Sequence, residues 1–279
     1  MTNADTSPDA FGLDARSYSE ASPDHAVNED FVLVGQNFAV VLDGASPVKG
    51  LDTGCIHDVP WLVRTLAGQL LSRLTTSGDS LANVLSDAIE GVNGSHAGTC
   101  DLSNPNSPSS TVAILRRRRQ EIDYLVLADS PIVVQRHDGT ITAITDDRID
   151  HLPDYSIAGI SKLRNSPDGF WVASTRPEAG GMAVTGTLDL NGGGPTQEIR
   201  AAALLSDGAA TLVERHGGEW SETMRLLEEG PRVLIGHVRS ADKISTRKFR
   251  GKRHDDATAV LCTFPTNAHS ATGANRPNI

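Results

Sequence analysis

Four short apolar runs in this chain each meet an aspartate at one end, and that pattern restricts the fold more than any other feature of the sequence. Asp43-Gly44 follows Val40-Val41-Leu42, Asp207-Gly208 follows Ala203-Leu204-Leu205, Asp129 follows Leu125-Val126-Leu127-Ala128, and Asp255-Asp256 precedes Ala257 to Leu261. Runs this short and this rich in Val, Ile and Leu read as buried strands. A carboxylate at the end of a central strand is held rigidly beside a partly dry site, where like charges repel unless a cation neutralises them. For any single Asp-Gly the plainer reading is a turn; four aspartates in comparable positions point to a metal cluster. Glycine after the aspartate lets backbone approach an ion closely and offers a carbonyl ligand. An oxygen-only donor set favours Mg2+ or Mn2+, since zinc prefers nitrogen and sulfur. Two such ions roughly 3.5–4 Å apart activate a water and clamp a phosphoryl group, which is chemistry suited to phosphate-ester hydrolysis.

The rest of the sequence supplies the scaffold for such a cluster. Phe31 to Val34 and Phe38 to Leu42, separated by Gly35-Gln36-Asn37, predict a buried hairpin. Leu62, Val63, Leu66, Leu70 and Leu74 recur at helical spacing, as do Leu81, Val84, Leu85, Ala88 and Ile89, so two antiparallel helices follow. Thr111 to Leu115, Ile122 to Leu127, Ile132 to Gln135 and Thr140 to Ile144 read as a β-meander. The stretch from Asp146 to Gly194 reads as loops with one helix near Pro177 to Ala183. Beyond it come a strand at Ala201 to Leu205, helices over Glu219 to Glu229 and from Pro231, and a closing strand at Thr258 to Phe264. Hairpin-length connections favour antiparallel pairing. The expected fold is α+β, two packed antiparallel sheets flanked by helices on both sides. Residues 1–24 read as an N-terminal arm, either extended or a loosely packed edge segment, with 25–265 a single domain and 266–279 a polar tail.

Charge and cysteine usage narrow the partners and the compartment. With 25 Lys and Arg against 35 Asp and Glu, the net charge of −10 repels a phosphate backbone, so nucleic acid is not an expected partner. The run Arg116 to Arg119 reads as a solvated hairpin tip. Cys55, Cys100 and Cys262 are odd in number and form no CxxC pair, which suggests neither a disulfide framework nor a zinc site and fits a reducing cytoplasm. Asp5, Asp9 and Asp14 stand where a secretory signal would be positive and then apolar, and no run reaches membrane-spanning length. Trp61, Trp171 and Trp220 read as core or helix-packing aromatics.

Taken in order, Asn28-Glu29-Asp30, Val40-Val41-Leu42-Asp43-Gly44, Ala128-Asp129-Ser130, Leu205-Ser206-Asp207-Gly208 and His254-Asp255-Asp256-Ala257-Thr258 resemble the ordered motifs of type 2C metal-dependent serine/threonine protein phosphatases. Each motif is short; their order, strand context and separations carry the resemblance, over residues 28–264. It implies a β-sandwich flanked by helices and a binuclear Mg2+ or Mn2+ centre, with room for a third ion. It implies hydrolysis of phosphoserine and phosphothreonine in phosphoprotein substrates by metal-activated water. By position, Asp43 matches the carboxylate bridging both metals and Gly44 the carbonyl ligand. Asp207 and Asp255 match ligands of one metal, and Glu29 reaches the other through water. Asp30 matches a further water-bridged carboxylate, Asp129 matches the ligand of a third, weaker ion, and Asp256 stands in a supporting position usually held by Asn.

Departures from the family pattern are equally specific. His25 occupies the place of the Arg that grips the substrate phosphate, and neutral imidazole cannot make the bidentate fork of a guanidinium. Arg176, Arg232 and Arg239 are alternative phosphate clamps, though surface solvation explains each as well. After Asp43-Gly44 the chain reads Ala45-Ser46-Pro47, so the general-acid role falls to His57, whose plainer role is a helix-start or core histidine. Pro131 replaces the Arg that often follows the Asp129 motif, and no flap signature stands between Ser156 and Asn191. The alternative to an efficient phosphatase is a catalytically weak sensory or binding module on the same fold.

Overall fold

The structure is a computed structural model that describes residues 12–24, 27–45, 50–96, 98–245 and 252–264. Strands β1 (Asp14–Glu20), β2 (Phe31–Val34) and β3 (Phe38–Ala45) precede helices α1 (Val59–Thr76) and α2 (Leu81–Ser95). Next come β4 (Ser109–Arg118), β5 (Glu121–Leu127), β6 (Ile132–Arg136), β7 (Ile141–Ile144), α3 (Ile157–Leu163) and β8 (Val184–Asp189). The chain continues through β9 (Ile199–Leu205), α4 (Asp207–Glu214), α5 (Trp220–Glu229), α6 (Pro231–Ile244) and β10 (Ala257–Thr263).

Two five-stranded sheets result, ordered β1-β10-β9-β6-β7 and β2-β3-β4-β5-β8, with every pairing antiparallel. Alternation along each strand divides its side chains between two cores. In β3, Ala39 and Val41 meet Val260 and Leu204 of the opposite sheet, while Val40 and Leu42 pack under α1 and α2 with Leu66, Leu70 and Leu85. The other sheet turns Ala203, Leu205 and Ala259 toward α4, α5 and α6, where Met224, Leu227 and Leu234 cover them. Helix, sheet, sheet and helix thus stack in four layers, and each fully buried Val or Leu contributes about 1.5–3 kcal/mol relative to exposure. Asp58 caps α1 by accepting the Trp61 N–H at 2.8 Å, and Ser80 caps α2. Among the described residues no helix is long and apolar enough to cross a membrane.

Four expectations are corrected. The domain begins before residue 25, and of the two readings of the N-terminal stretch the edge segment holds: residues 14–20 form β1, an edge strand paired with β10 from Asp14↔Thr263 to Glu20↔Ala257. The expected meander is split, because β4 and β5 lie in one sheet and β6 and β7 in the other. The chain changes sheets at Ala128-Asp129, where Ala128 takes a φ of 64°, an uncommon conformation for a residue with a Cβ. The stretch read as loops holds α3 and β8, and the helix expected near Pro177 is a 3-10 turn over Pro177–Met182. Of the basic run, Arg116 and Arg117 are buried. Arg116 donates to the Asp79 carbonyl and pairs with Asp123 at 3.0 Å, so only the end of the run is a hairpin tip. The polar tail at 266–279 lies outside the described residues.

Candidate metal centre

The direction of the strands brings the acidic motifs to one end of the sandwich. β3 and β5 finish there, β9 finishes there and hands over to α4, and β10 starts there. Asp43, Asp129, Asp207 and Asp255, together with Gly44, line a single cleft of about 950 Å3. The two sheets are joined directly at these motifs: the backbone N–H of Asp207 donates to Asp43 Oδ2 at 3.2 Å across 164 residues of sequence. Because Asp207 opens α4, the positive end of that helix faces Asp43 and favours negative charge there.

Close backbone packing holds these positions. A Cβ on Gly44 would meet Val59 Cγ1 at 2.3 Å and the Glu29 carbonyl at 2.6 Å, and one on Gly208 would lie 1.9 Å from the Asp256 carbonyl. Glycine is therefore required at both motifs for contact, and neither has a positive φ. Asp256 works as a backbone clamp. Its Oδ1 accepts the Ser22 N–H and its Oδ2 the Glu29 N–H, both at 2.7 Å, which ties the Glu29-Asp30 segment to the start of β10. Glu29 and Asp30 do not line the cleft; they back onto Gly44 and Asp43.

The electrostatics are those of anions in want of a cation. Burial, then the charges of Asp30, Asp207, Asp129 and Asp255, push the Asp43 carboxyl well above the ordinary range. Burial raises Asp207 too, with Asp255 adding and Arg215 opposing. Burial takes Asp129 up to about 7, helped by Asp207. Asp30 is likewise pushed up to about 7 by burial, against the nearby hydroxyls of Thr258 and Ser206. Those hydroxyls fall short of ordinary hydrogen-bond geometry, and both oxygens of this buried carboxyl are unpartnered. Orphaned buried oxygens among like charges, with carboxylates and the Gly44 carbonyl as donors, fit hard divalent cations such as Mg2+ or Mn2+.

The remaining expected residues are placed as follows. His25 lies outside the described residues. His57 does not line the cleft; its ring stacks on Trp61 at 3.8 Å and faces Cys55 and Cys100, so the general-acid assignment is corrected. The cysteines, whose spacing suggested no zinc site, lie beside two histidines: Cys55, His57, His96 and Cys100 bring their ligand atoms within 4.8 Å of one another. Arg176, Arg232 and Arg239 are not cleft residues. Arg239 donates to the Asp255 carbonyl at 2.7 Å, and Arg232 lies 5.6 Å from the Tyr18 ring centroid. Among the described residues, the cations that reach the cleft are Arg164, Arg215 and Lys252, the last bound to Asp255 Oδ1 at 3.0 Å. Asp146 was missed as well: it accepts the Ala128 N–H at 2.9 Å and so fixes the turn carrying Asp129. It stands close behind the Thr140 to Ile144 run, the strand-end signal that marked the other aspartates. Trp220, read as packing, reaches the cleft edge.

The sequence matches the Protein phosphatase 2C family over residues 24–233, a span that contains Asp43, Asp129 and Asp207 but stops before Asp255. No curated protein matches it. Among solved structures the fold is similar to the serine/threonine phosphatase Stp1 from Staphylococcus aureus, with a TM-score of 0.61, 16% identity, and 91% of this chain and 96% of that one covered. It is similar also to the serine/threonine phosphatase PstP/Ppp from Mycobacterium tuberculosis, with a TM-score of 0.57, 15% identity, and 90% and 98% covered. A further match is the catalytic domain of the serine threonine protein phosphatase PstP in complex with 2 manganese ions, at a TM-score of 0.54, 17% identity, and 91% and 98% covered. At such identities the structures share a fold. The family match over most of the sequence shows more, namely that the chain belongs to the protein phosphatase 2C family of metal-dependent serine/threonine phosphatases.

Proposed function

We propose that the chain hydrolyses phosphoserine and phosphothreonine in phosphoprotein substrates at a binuclear Mg2+ or Mn2+ centre. Asp43, the Gly44 carbonyl, Asp207 and Asp255 would hold the ions, with Glu29 and Asp30 behind them and Asp129 toward a third. The observation that carries this is the meeting of Asp43 and Asp207 from opposite sheets in a cleft that Gly44, Asp129 and Asp255 also line. Bound there, the ions would supply Lewis acidity toward the phosphoryl oxygens and lower the pKa of a water.

The protein's own residues bind and orient. Arg164 reaches the cleft with its Nε unpartnered, while its Nη1 donates to Ser109 Oγ at 3.2 Å. A guanidinium in that position can fork onto a phosphate, the task for which imidazole at His25 is poorly suited. Tyr155, Ile160, Phe170 and Val172 form an apolar wall beside it that can shield the phosphoryl group from bulk water and carry the peptide. Turnover of p-nitrophenyl phosphate and of a phosphothreonine peptide, each with Mn2+ and with chelator, for the native chain and Asp43→Asn, tests the proposal. Hydrolysis only by the native chain with Mn2+ is expected; equal rates in all conditions would refute it.

A further inference from the structure

The cluster outside the cleft is built from two loops on the helical side of the β2-β3-β4-β5-β8 sheet. Cys55 and His57 lie between β3 and α1, and His96 and Cys100 follow α2. Cys55 Sγ lies 3.6 Å from His57 Nδ1 and 3.6 Å from His96 Nδ1, and Cys100 Sγ lies 3.4 Å from His57 Nδ1. With Zn–S near 2.3 Å and Zn–N near 2.05 Å, the sulfur-to-nitrogen edges of a tetrahedral site are about 3.6 Å long. The three measured edges agree. The sulfurs, both of free cysteines, stand 2.9 Å apart and would open to about 3.8 Å around the ion.

The surroundings support these ligands as they would a metal. The His57 backbone N–H donates to Cys55 Sγ at 3.4 Å, and the Thr99 hydroxyl lies 3.7 Å from Cys100 Sγ, the kind of outer contact that steadies thiolate ligands. Trp61 stacks on His57 and packs edge-on to His96 at 4.9 Å, fixing both rings. The loops are joined independently of the cluster. Asp101 N–H donates to the Gly54 carbonyl at 2.7 Å, Asn104 Nδ2 to the Asp52 carbonyl at 3.1 Å, and Ser107 Oγ to the Thr53 carbonyl at 3.3 Å. His96 is buried and the other three are half-buried. The donors are therefore brought together by a folded frame.

We propose that Cys55, His57, His96 and Cys100 bind a zinc ion in a closed, four-ligand structural site that pins the loop before α1 to the loop after α2. Two thiolates and two imidazoles suit zinc and not the hard ions of the cleft. Full protein ligation leaves no open position for a reacting water, so the role is structural. The site stands apart from the phosphatase chemistry and does not depend on it.

Zinc content of the full chain, purified from zinc-supplemented culture and dialysed against metal-free buffer, provides the test, with zinc-edge X-ray absorption on the same sample. About one zinc per chain in a shell of two sulfurs and two nitrogens is expected. Cys55→Ser and Cys100→Ser should each lower retained zinc by at least about tenfold, whereas Cys262→Ser and Asp43→Asn should keep it. Should the ligand variants fail to fold, the absorption spectrum of the native chain still decides. Less than about 0.1 zinc per chain, a shell of oxygens, or a Cys55–Cys100 disulfide found by mass spectrometry of the dialysed protein would overturn the proposal.

Discussion

Burial, and then the surrounding carboxylates, raise the pKa of Asp43, and without a cation both are a cost to the folded state. The sign of the pH dependence follows. Asp30 and Asp129 titrate at about 7 when folded and near 3.9 when unfolded. Between those values the folded chain binds more protons, so stability falls as pH rises. Thermal unfolding in chelator should therefore occur at lower temperature at about pH 7.5 than at about pH 5.5, and saturating Mn2+ should remove or reverse the difference. A melting temperature that rises over that interval in chelator contradicts this. Asp256 offers a second test, since its two oxygens each satisfy a backbone N–H. Asp256→Ala should cost about 3 kcal/mol in urea unfolding, and a change within about 0.5 kcal/mol would show the clamp to be unimportant. These aspartates were legible because each adjoins a strand end. Arg164 was not, because nothing near it in sequence tells that a short helix aims it into the cleft. Nor was the histidine–cysteine cluster, whose donors sit in two loops joined only by folding.

Between elements, the tightest joint is where α4 begins against the Asp255-Asp256 segment. Gly208→Ala places a methyl 1.9 Å from the Asp256 carbonyl and must push Asp207 and Asp255 apart. Affinity for Mn2+ should fall at least about tenfold, with destabilisation of about 2–4 kcal/mol; native affinity in this variant would mean that the joint does not position the ligands. Helices α1 and α2 were readable from apolar spacing, and β2, β3, β9 and β10 from compact apolar runs. β1 was hidden because Asp14 to Glu20 is mostly polar, as an edge strand can be. β8 does alternate, with Val184, Gly186 and Leu188 on one side, but glycines and prolines around it masked the period. The sheet change at Ala128 was invisible, since a short connection between strands looks the same whether it closes a hairpin or crosses the sandwich.

Across the molecule, sheets meeting through Ala39, Val41, Leu204 and Val260 place strand ends from both layers around one cleft. Antiparallel pairing is what converts aspartates far apart in sequence into neighbours, and the order of the motifs along the chain reflects that arrangement. Calorimetric titration of Mn2+ into the metal-free chain tests the central claim most directly. The account predicts about two or more ions per chain, with at least one site lost in Asp43→Asn and in Asp207→Asn and none lost in Cys100→Ser. The absence of Mn2+ binding, or binding unchanged by both aspartate substitutions, would contradict it.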